Sequence, residues 1–304
     1  MENDHLSGVI KSPYDPTDEI FERLSFGNKK SVPNVIPQAI DLRNHSLPSR
    51  NQGNRGTCAA FAGATIRESQ ESLCGIGSSE SKYLSPEFIY YHRDNSPSHG
   101  MSGRNVFTIL KNIGTVPEID YPYGSDNEPS RLLYETASQH KITFFARITT
   151  MGGLKKAISQ IGPCYLVLPL YKTRPQFWIS SGDESVEGHA VVVIGYNQTG
   201  FIIKNSWGKD WNDGGCIVFP YTDWDIHWEC WVCTDRKIRR CSESGSQSTS
   251  NIIRTEETLD NVKQKIQDTG REFKDHVNNG IGANYEEPTP RRRRRLINNT
   301  CTIF

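Results

Sequence analysis

The sequence lacks several features that would each define a class of protein. Its 304 residues carry no net charge, with 35 Lys and Arg against 35 Asp and Glu, so we expect no specific nucleic-acid partner. No apolar run approaches the roughly 20 residues of a membrane-spanning helix. The opening MENDHLSGVIKSPYDP has no apolar core of the kind found in secretory signals, and no internal repeat is seen. We therefore expect a cytoplasmic globular protein whose eight cysteines stay reduced.

The charge is distributed unevenly along the chain. From Arg236 onward there are 14 Lys and Arg against 9 Asp and Glu, a net of +5, so the remainder carries −5. Near the same point the composition changes to SESGSQSTSN, which is typical of a flexible linker. We predict three segments: an N-terminal arm over residues 1–35, a globular domain over residues 36–236 and a flexible basic tail with a short amphipathic helix over residues 237–304.

Helical patterns precede strand patterns in the sequence. The predicted helices are PTDEIFERL, with Thr17 or Asp18 as its N-cap, and then TCAAFAGATIRESQESL, SPEFIYYHRD and GRNVFTILKNIG. After about residue 140 the runs become strand-like: KITFFARI, CYLVLPLY, HAVVVIGYN, GFIIKNSW, GCIVFPY and CWVCTD. Helices first and strands later predict an α+β fold of two lobes with a cleft between them.

Cys58 begins an alanine-rich run in QGNRGTCAAFAG and has two interpretations. It could be a small buried residue, because cysteine is often buried. Alternatively, the free N–H groups of the first helical turn favour an anion, which lowers a thiol pKa and makes a thiolate nucleophile. A nucleophile would also need a base, a group that orients the base and a donor for the oxyanion.

Three other residues could meet those needs. His189 lies in EGHAVVVIGYN just before a predicted strand, and Asn205 lies in IIKNSWGKDW at the end of the next one. A hairpin between these strands would bring His189 and Asn205 together. Gln52 offers a side-chain amide on the loop before the helix of Cys58.

Three blocks, QGNRGTC, GHAVVVIGY and KNSWGKDW, resemble the signature blocks of the papain-like, or cathepsin-like, cysteine proteases in order and spacing. The resemblance covers about Ile36 to Asp235. It implies a papain-like two-lobed fold, with the cysteine on a helical lobe and the histidine on a β-barrel-like lobe. It further implies a cysteine endopeptidase that acts on peptide or protein substrates and needs no cofactor.

The same resemblance implies a role for each site residue. Cys58 would attack the scissile carbonyl, and His189 would be its imidazolium partner and protonate the leaving amine. Asn205 would orient the imidazole ring, while Gln52 and the Cys58 N–H would bind the oxyanion. The implied substrate-binding residues are Gly103, Arg104, Ala190, Trp207 and Trp211.

The sequence departs from the family pattern in places. Arg55 stands where a cysteine usually precedes the nucleophile by three residues, and the usual disulfide partner would fall near Met101. No blocking insertion follows Gly103, which favours an endopeptidase over a carboxypeptidase. Residues 1–35 are shorter than the usual pro-domain, so we predict a short inhibitory arm, or pro-segment, cleaved near Asn34 to Pro37; an uncleaved, ordered arm is the alternative.

A metal site is not predicted at the remaining cysteines. Cys230 and Cys233 form a Cys-x-x-Cys pair near His227 and Cys241, a pattern that can begin a zinc site. However, residues three apart on a strand face opposite sides, and there is no second close pair.

The final residues carry a lipidation signal. Cys301 begins CTIF, which has the form of a prenylation box, and Arg291–Arg295 would add a basic patch for an anionic membrane surface. We predict a tether to the cytosolic face of a membrane in a eukaryotic or host cell. The arginines could instead bind nucleic acid, direct nuclear import or be merely solvated. For the domain, the alternatives are a Cys-His-Asn acyltransferase or deamidase, or a catalytically dead binding scaffold.

Overall fold

Helices dominate the first half of the described chain and strands dominate the second. The computed structural model describes residues 8–24, 36–75, 82–171, 175–180, 182 and 187–235. Its helices are α1 (Cys58–Leu73), α2 (Pro86–Tyr91), α3 (Gly103–Asn112), α4 (Arg131–Ala137) and α5 (Met151–Gln160). Its strands are β1 (Ile40–Asp41), β2 (Phe144–Arg147), β3 (Cys164–Leu170), β4 (Glu187–Tyr196), β5 (Gly200–Lys204), β6 (Cys216–Pro220) and β7 (Glu229–Thr234).

The strands pair in the order β2-β7-β3-β4-β5-β6, and β1 lies beside β4. These pairings are antiparallel, and the β3–β4 register places Leu168 opposite His189. Strands β4 and β5 form a hairpin in which Val192 faces Lys204. The hairpin register brings the first residues of β4 near the residue that follows β5, as the sequence predicts for His189 and Asn205.

Two hydrophobic clusters lie on the two faces of the sheet. Along β3, Tyr165 and Val167 pack with helices α1 and α3, whereas Leu166 and Leu168 pack with α5 and an aromatic group on the other face. This alternation is the normal consequence of the two-residue strand period. Small residues allow α1 to approach closely: a Cβ on Gly63 would lie 2.5 Å from Val106 Cγ1 of α3.

The N-terminal arm, which we define as residues 8–24, lies against both the helical part and the sheet. Val9 bridges in parallel to Met101, just before α3, and antiparallel to Gly188 of β4. Further along, Ile20 bridges to Arg147 of β2, and Phe21 is fully buried beneath the sheet with α5. The arm is therefore anchored at both ends by the folded domain.

The predicted helix in PTDEIFERL is wrong. The structure contains only a 3₁₀ turn at Phe21–Arg23, and Asp15, rather than Thr17 or Asp18, closes the preceding turn by accepting from the Thr17 N–H at 2.8 Å. The Asp18 carboxylate is engaged by arginines of the domain. A nine-residue helix has little stability of its own, so these tertiary contacts decide the conformation.

The α+β class and the other listed helices and strands are confirmed, with small changes in their ends. Two helices, α4 and α5, were not predicted. α5 interrupts the strand-rich half, and its Gly-Gly start conceals the helical signal although Thr150 caps it by accepting from Gly153 N–H at 2.9 Å. Among the described residues, no helix has the length and apolarity to cross a membrane. The predicted tail, with Arg291–Arg295 and Cys301, lies outside the described residues.

Candidate active site

Cys58 is the first residue of α1 and is fully buried. Thr57 precedes it as N-cap but gives no side-chain cap to the helix, and its hydroxyl instead lies 2.7 Å from the Tyr123 hydroxyl. The backbone N–H groups of Cys58 and Ala59, in the first turn, interact with the Cys58 thiol.

The surroundings of the thiol differ from the sequence expectation. Ala190 N–H donates to Cys58 Sγ at 3.5 Å, and backbone hydrogen bonds with Gly8 and Ala59 also lower the pKa. Burial is the larger effect, however, and raises the pKa of the Cys58 thiol to about 11. With the arm in place, the thiol is therefore neutral near pH 7, and the expected low pKa is wrong for this arrangement.

His189 and Asn205 are brought together by the β4–β5 hairpin. His189 lies within β4, not before it as predicted, and Asn205 follows the last residue of β5. His189 Nε2 is 2.7 Å from Asn205 Oδ1, and both residues are buried. The Asn205 oxygen also accepts from the Ser206 N–H at 2.8 Å, which fixes its direction. The amide oxygen can hold one nitrogen of the imidazole and leave the other for chemistry.

Aromatic rings cover the His189–Asn205 pair. The Trp207 ring stacks on His189 with centroids 4.7 Å apart, and Trp211 meets Trp207 edge to face at 5.3 Å. The ring centroid of Phe177 lies 5.1 Å from that of His189 and 5.1 Å from that of Trp207. Sequence reasoning missed Phe177, because it lies in an irregular stretch; the only signal was a Phe-Trp pair in an otherwise polar segment.

Gln52 is almost fully buried between the loop before α1 and the residue after Asn205. Its side-chain nitrogen donates to the Arg55 carbonyl at 2.9 Å, and its side-chain oxygen accepts from Ser206 Oγ at 2.6 Å. The amide is thus held in a defined orientation near the N-terminus of α1.

The predicted substrate-binding residues fall into two groups. Trp207 and Trp211 belong to the aromatic cover, and Ala190 lies beside the thiol. Gly103 begins α3, and its N–H donates to Glu229 Oε1 at 3.3 Å; a Cβ there would lie 2.8 Å from the same oxygen. Arg104 is bound to Asp18 of the arm. The second group, Gly103 and Arg104, therefore lies next to the arm, which contacts Arg104 through Asp18.

Arg55, which stands where the sequence comparison expects one cysteine of a disulfide, forms an ion pair with Glu87. Arg55 Nη2 donates to Glu87 Oε1 at 2.8 Å, and its guanidinium lies over the Tyr123 ring at 4.8 Å. Within the described ranges no disulfide joins the cysteines. In those ranges no cluster of His, Cys, Asp and Glu could hold a metal ion, and Cys230 and Cys233 lie on opposite faces of the sheet.

Comparisons with known proteins identify the family of this chain. A family model described as papain family cysteine protease matches residues 36–232. A cathepsin L-like proteinase of Phaedon cochleariae is 32% identical over 232 residues, covering 67% of this chain and 70% of the relative. Cathepsin J of Rattus norvegicus is 30% identical over 211 residues, covering 62% of this chain and 61% of the relative.

A similar fold is found in a solved structure. Xylellain, a cysteine protease from Xylella fastidiosa, matches with a TM-score of 0.64 at 24% identity and covers 77% of this chain and 98% of its own. At that identity the likeness shows the fold alone, which is the papain-like α+β fold that the sequence predicts.

Proposed function

The chain belongs to the papain family of cysteine proteases and is a thiol peptidase; we propose that it is an endopeptidase whose reaction is carried by Cys58, His189 and Asn205. The observation that supports this most strongly is the 2.7 Å contact of His189 Nε2 with Asn205 Oδ1. The next residue along β4, Ala190, donates its N–H to the Cys58 sulfur. The thiol therefore lies against the strand segment that carries the base.

In the proposed reaction the Cys58 thiol gives its proton to Nδ1 of His189, and the sulfur attacks the scissile carbonyl. The oxyanion would be held by the Cys58 N–H and the Gln52 side-chain amide, each worth about 3 kcal/mol in the transition state. His189 then protonates the leaving amine. Water deprotonated by His189 hydrolyses the thioester and restores the thiol.

The arm provides a resting state for this enzyme. Gly8 contacts the Cys58 thiol through its backbone, and Val9 is paired on both sides of the cleft, with Met101 and with Gly188. A substrate carbonyl could not reach the sulfur while these residues stay in place. The predicted inhibitory role of residues 1–35 is thus part of the proposal, with cleavage near Asn34 to Pro37.

Labelling by an epoxide-type thiol-protease inhibitor tests the nucleophile. In the full chain, activated until peptide cleavage is constant, we expect one adduct by intact mass and no adduct in Cys58→Ala. Cys74→Ala, which removes the half-buried cysteine just after the same helix, is the matched control and should keep the adduct. Equal labelling of Cys58→Ala would contradict the assignment, and a lack of labelling in all chains would support a scaffold.

The products separate the protease from the acyltransferase or deamidase alternatives. We expect two peptide fragments from a test peptide, with the mass of one water added across the pair. A product that keeps the full peptide length would support the alternatives.

Tethering to the cytosolic face of a membrane remains a proposal that rests on sequence alone, because Cys301 and Arg291–Arg295 lie outside the described residues. Metabolic labelling with an isoprenoid precursor should mark the wild-type chain and not Cys301→Ser. Equal label in the two chains would end this proposal.

A further inference from the structure

The Asp18 carboxylate of the arm is held by two arginines of the domain. Arg104 donates to it twice, from Nε at 2.9 Å and from Nη2 at 2.6 Å, and Arg147 donates from Nε at 2.6 Å. Only 7% of the Asp18 side chain is exposed. Burial raises the pKa of Asp18, but the two guanidiniums outweigh it, so the pKa lies below its ordinary value.

The arrangement of the two arginines depends only partly on the arm. The Arg147 guanidinium lies over the Trp231 ring at 4.2 Å, and its Nη1 is 3.4 Å from Glu229 Oε2. Trp231 and Glu229 both belong to β7, so Arg147 is held by the domain itself. Arg104 stands in the first turn of α3 and lies farther from the Trp231 ring, at 6.0 Å.

Most of the negative charge around the two arginines comes from the arm. The carboxylates that act on Arg104 are Asp18, Asp15 and Glu229, and the first two belong to the arm. Without the arm, two guanidiniums face one carboxylate. Glu229 also accepts from Gly103 N–H at 3.3 Å, and its side chain is fully buried. Glu229 is thus already engaged by other donors. Without the arm, the guanidinium of Arg104 loses the Asp18 carboxylate that accepts its two hydrogen bonds.

The arginine pair is adjacent to the cleft. Arg104 follows Gly103 directly, and its N–H donates to Ser12 Oγ at 3.1 Å. Ser12 lies only four residues beyond Gly8, whose backbone contacts the Cys58 thiol. An extended peptide that reaches the thiol along the same path would pass Arg104.

We propose that Arg104 and Arg147 form an anion-binding subsite of the cleft, occupied by Asp18 in the resting chain and by a carboxylate side chain of the peptide substrate in the active enzyme. The inference rests on the proposed function, because it names one feature of the substrate. The planar fork of Arg104 can bind a carboxylate through two parallel hydrogen bonds, a geometry that an amide cannot match.

Pairs of substrates that differ by one charge test the subsite. The enzyme is the full chain carrying Gly8→Ala and Asp18→Ala. A methyl group on Gly8 would lie 2.3 Å from the Gly56 carbonyl carbon, which displaces the arm near the thiol, and the second substitution removes the carboxylate that occupies the arginine pair. Asp or Glu is compared with Asn or Gln at each position of a short peptide. At one position we expect the acid to have the larger kcat/KM, by about tenfold.

Substitution of the arginine should remove this preference. With Arg104→Gln added, we expect the ratio of acid to amide to fall to within about twofold of one, the size of an ordinary surface effect. Arg131→Gln, at an exposed arginine on α4, is the matched control and should keep the ratio. Equal cleavage of acid and amide at every position, or a ratio that survives Arg104→Gln, would overturn the proposal.

Binding of acetate gives a second measurement that does not depend on catalysis. In the full chain carrying Asp18→Ala, millimolar acetate should raise Tm with a saturating dependence, because a ligand of the folded state stabilises it. The rise should be absent with Asp18→Ala and Arg104→Gln together, and sodium chloride controls for ionic strength. Equal responses of the two chains would overturn the anion site whether or not the chain cleaves peptides.

Discussion

The two halves of the candidate site differ in what holds them. His189 and Asn205 are positioned by the β4–β5 hairpin and covered by Trp207, all within the domain. Cys58 is positioned by α1, but Gly8 and Val9 of the arm lie against it. The backbone hydrogen bond with Gly8 lowers the pKa of the thiol, whereas burial, the larger effect, raises it. The surroundings of His189, the proposed base, therefore do not depend on the arm. The surroundings of Cys58, the proposed nucleophile, change when the arm leaves.

This difference indicates that the arm would control the reaction through Cys58 and not through His189. Displacing the arm should change the protonation of the Cys58 thiol and leave the hydrogen bond between His189 and Asn205 intact. Substitutions in the hairpin should instead reduce activity whether the arm is present or absent.

The largest effect is expected from removing the base. His189→Ala should lower kcat/KM for a peptide by about 10⁴-fold or more, because the thiol then has no proton acceptor and the leaving amine no donor. His227→Ala, at a histidine that packs on Trp224 away from Cys58, is the control. Activity of His189→Ala within tenfold of wild type would mean that another group is the base.

The arm should have the next largest effect. Gly8→Ala forces the arm away from Gly56, so peptide cleavage by freshly purified full chain should rise by roughly 100-fold, which is the gain in thiolate for a two-unit fall in pKa. Gly152→Ala is the matched control, because a methyl group there meets no atom within 4 Å. Comparable rates for wild type and Gly8→Ala would show that the arm does not inhibit.

A smaller loss is expected for the orienting residue. Asn205→Ala removes the acceptor 2.7 Å from His189 Nε2, so the ring can rotate away from the thiol, and kcat should fall about 10- to 100-fold. The loss should be equal in chains with and without Gly8→Ala. If kcat falls only in the chain with Gly8→Ala, or only in the chain without it, the His189–Asn205 pair is not independent of the arm.

The smallest effect concerns stability. Arg55→Leu removes the ion pair of the buried Glu87 carboxylate, which keeps its hydrogen bond from the Gly124 N–H at 2.9 Å. Because Arg55 itself is partly exposed, we expect the free energy of unfolding in urea to fall by about 1–3 kcal/mol. In Arg55→Leu with Glu87→Leu the loss should shrink, since no unpaired charge is left; an unchanged loss would show that the pair does not act as a unit.

The β4–β5 hairpin of the candidate site could be predicted because its signal is local. His189 and Asn205 lie sixteen residues apart on two successive strands, so the antiparallel pairing alone brings them together. The alanines and Gly63 of α1 likewise predict close packing from their size. The α+β class followed from the order of helical and strand patterns, which needs no long-range information.

The features that could not be predicted depend on distant contacts. Asp18 reads as a helix cap, but its partners Arg104 and Arg147 are 86 and 129 residues away. Burial raises the pKa of Cys58, and the thiol packs in one cluster with Val9, forty-nine residues earlier, which reasoning from the helix terminus does not include. Phe177 reaches His189 from an irregular segment without periodicity.

The pH dependence of Cys58 alkylation tests the central claim most directly. The claim is that Cys58 is a nucleophile whose thiol the arm keeps protonated. In the full wild-type chain, the rate of alkylation should rise with pH toward a midpoint at about 11. In Gly8→Ala the midpoint should lie below 9, the ordinary value of a cysteine, and it should move up again when His189→Ala is added. The same midpoint in all three chains would contradict the account.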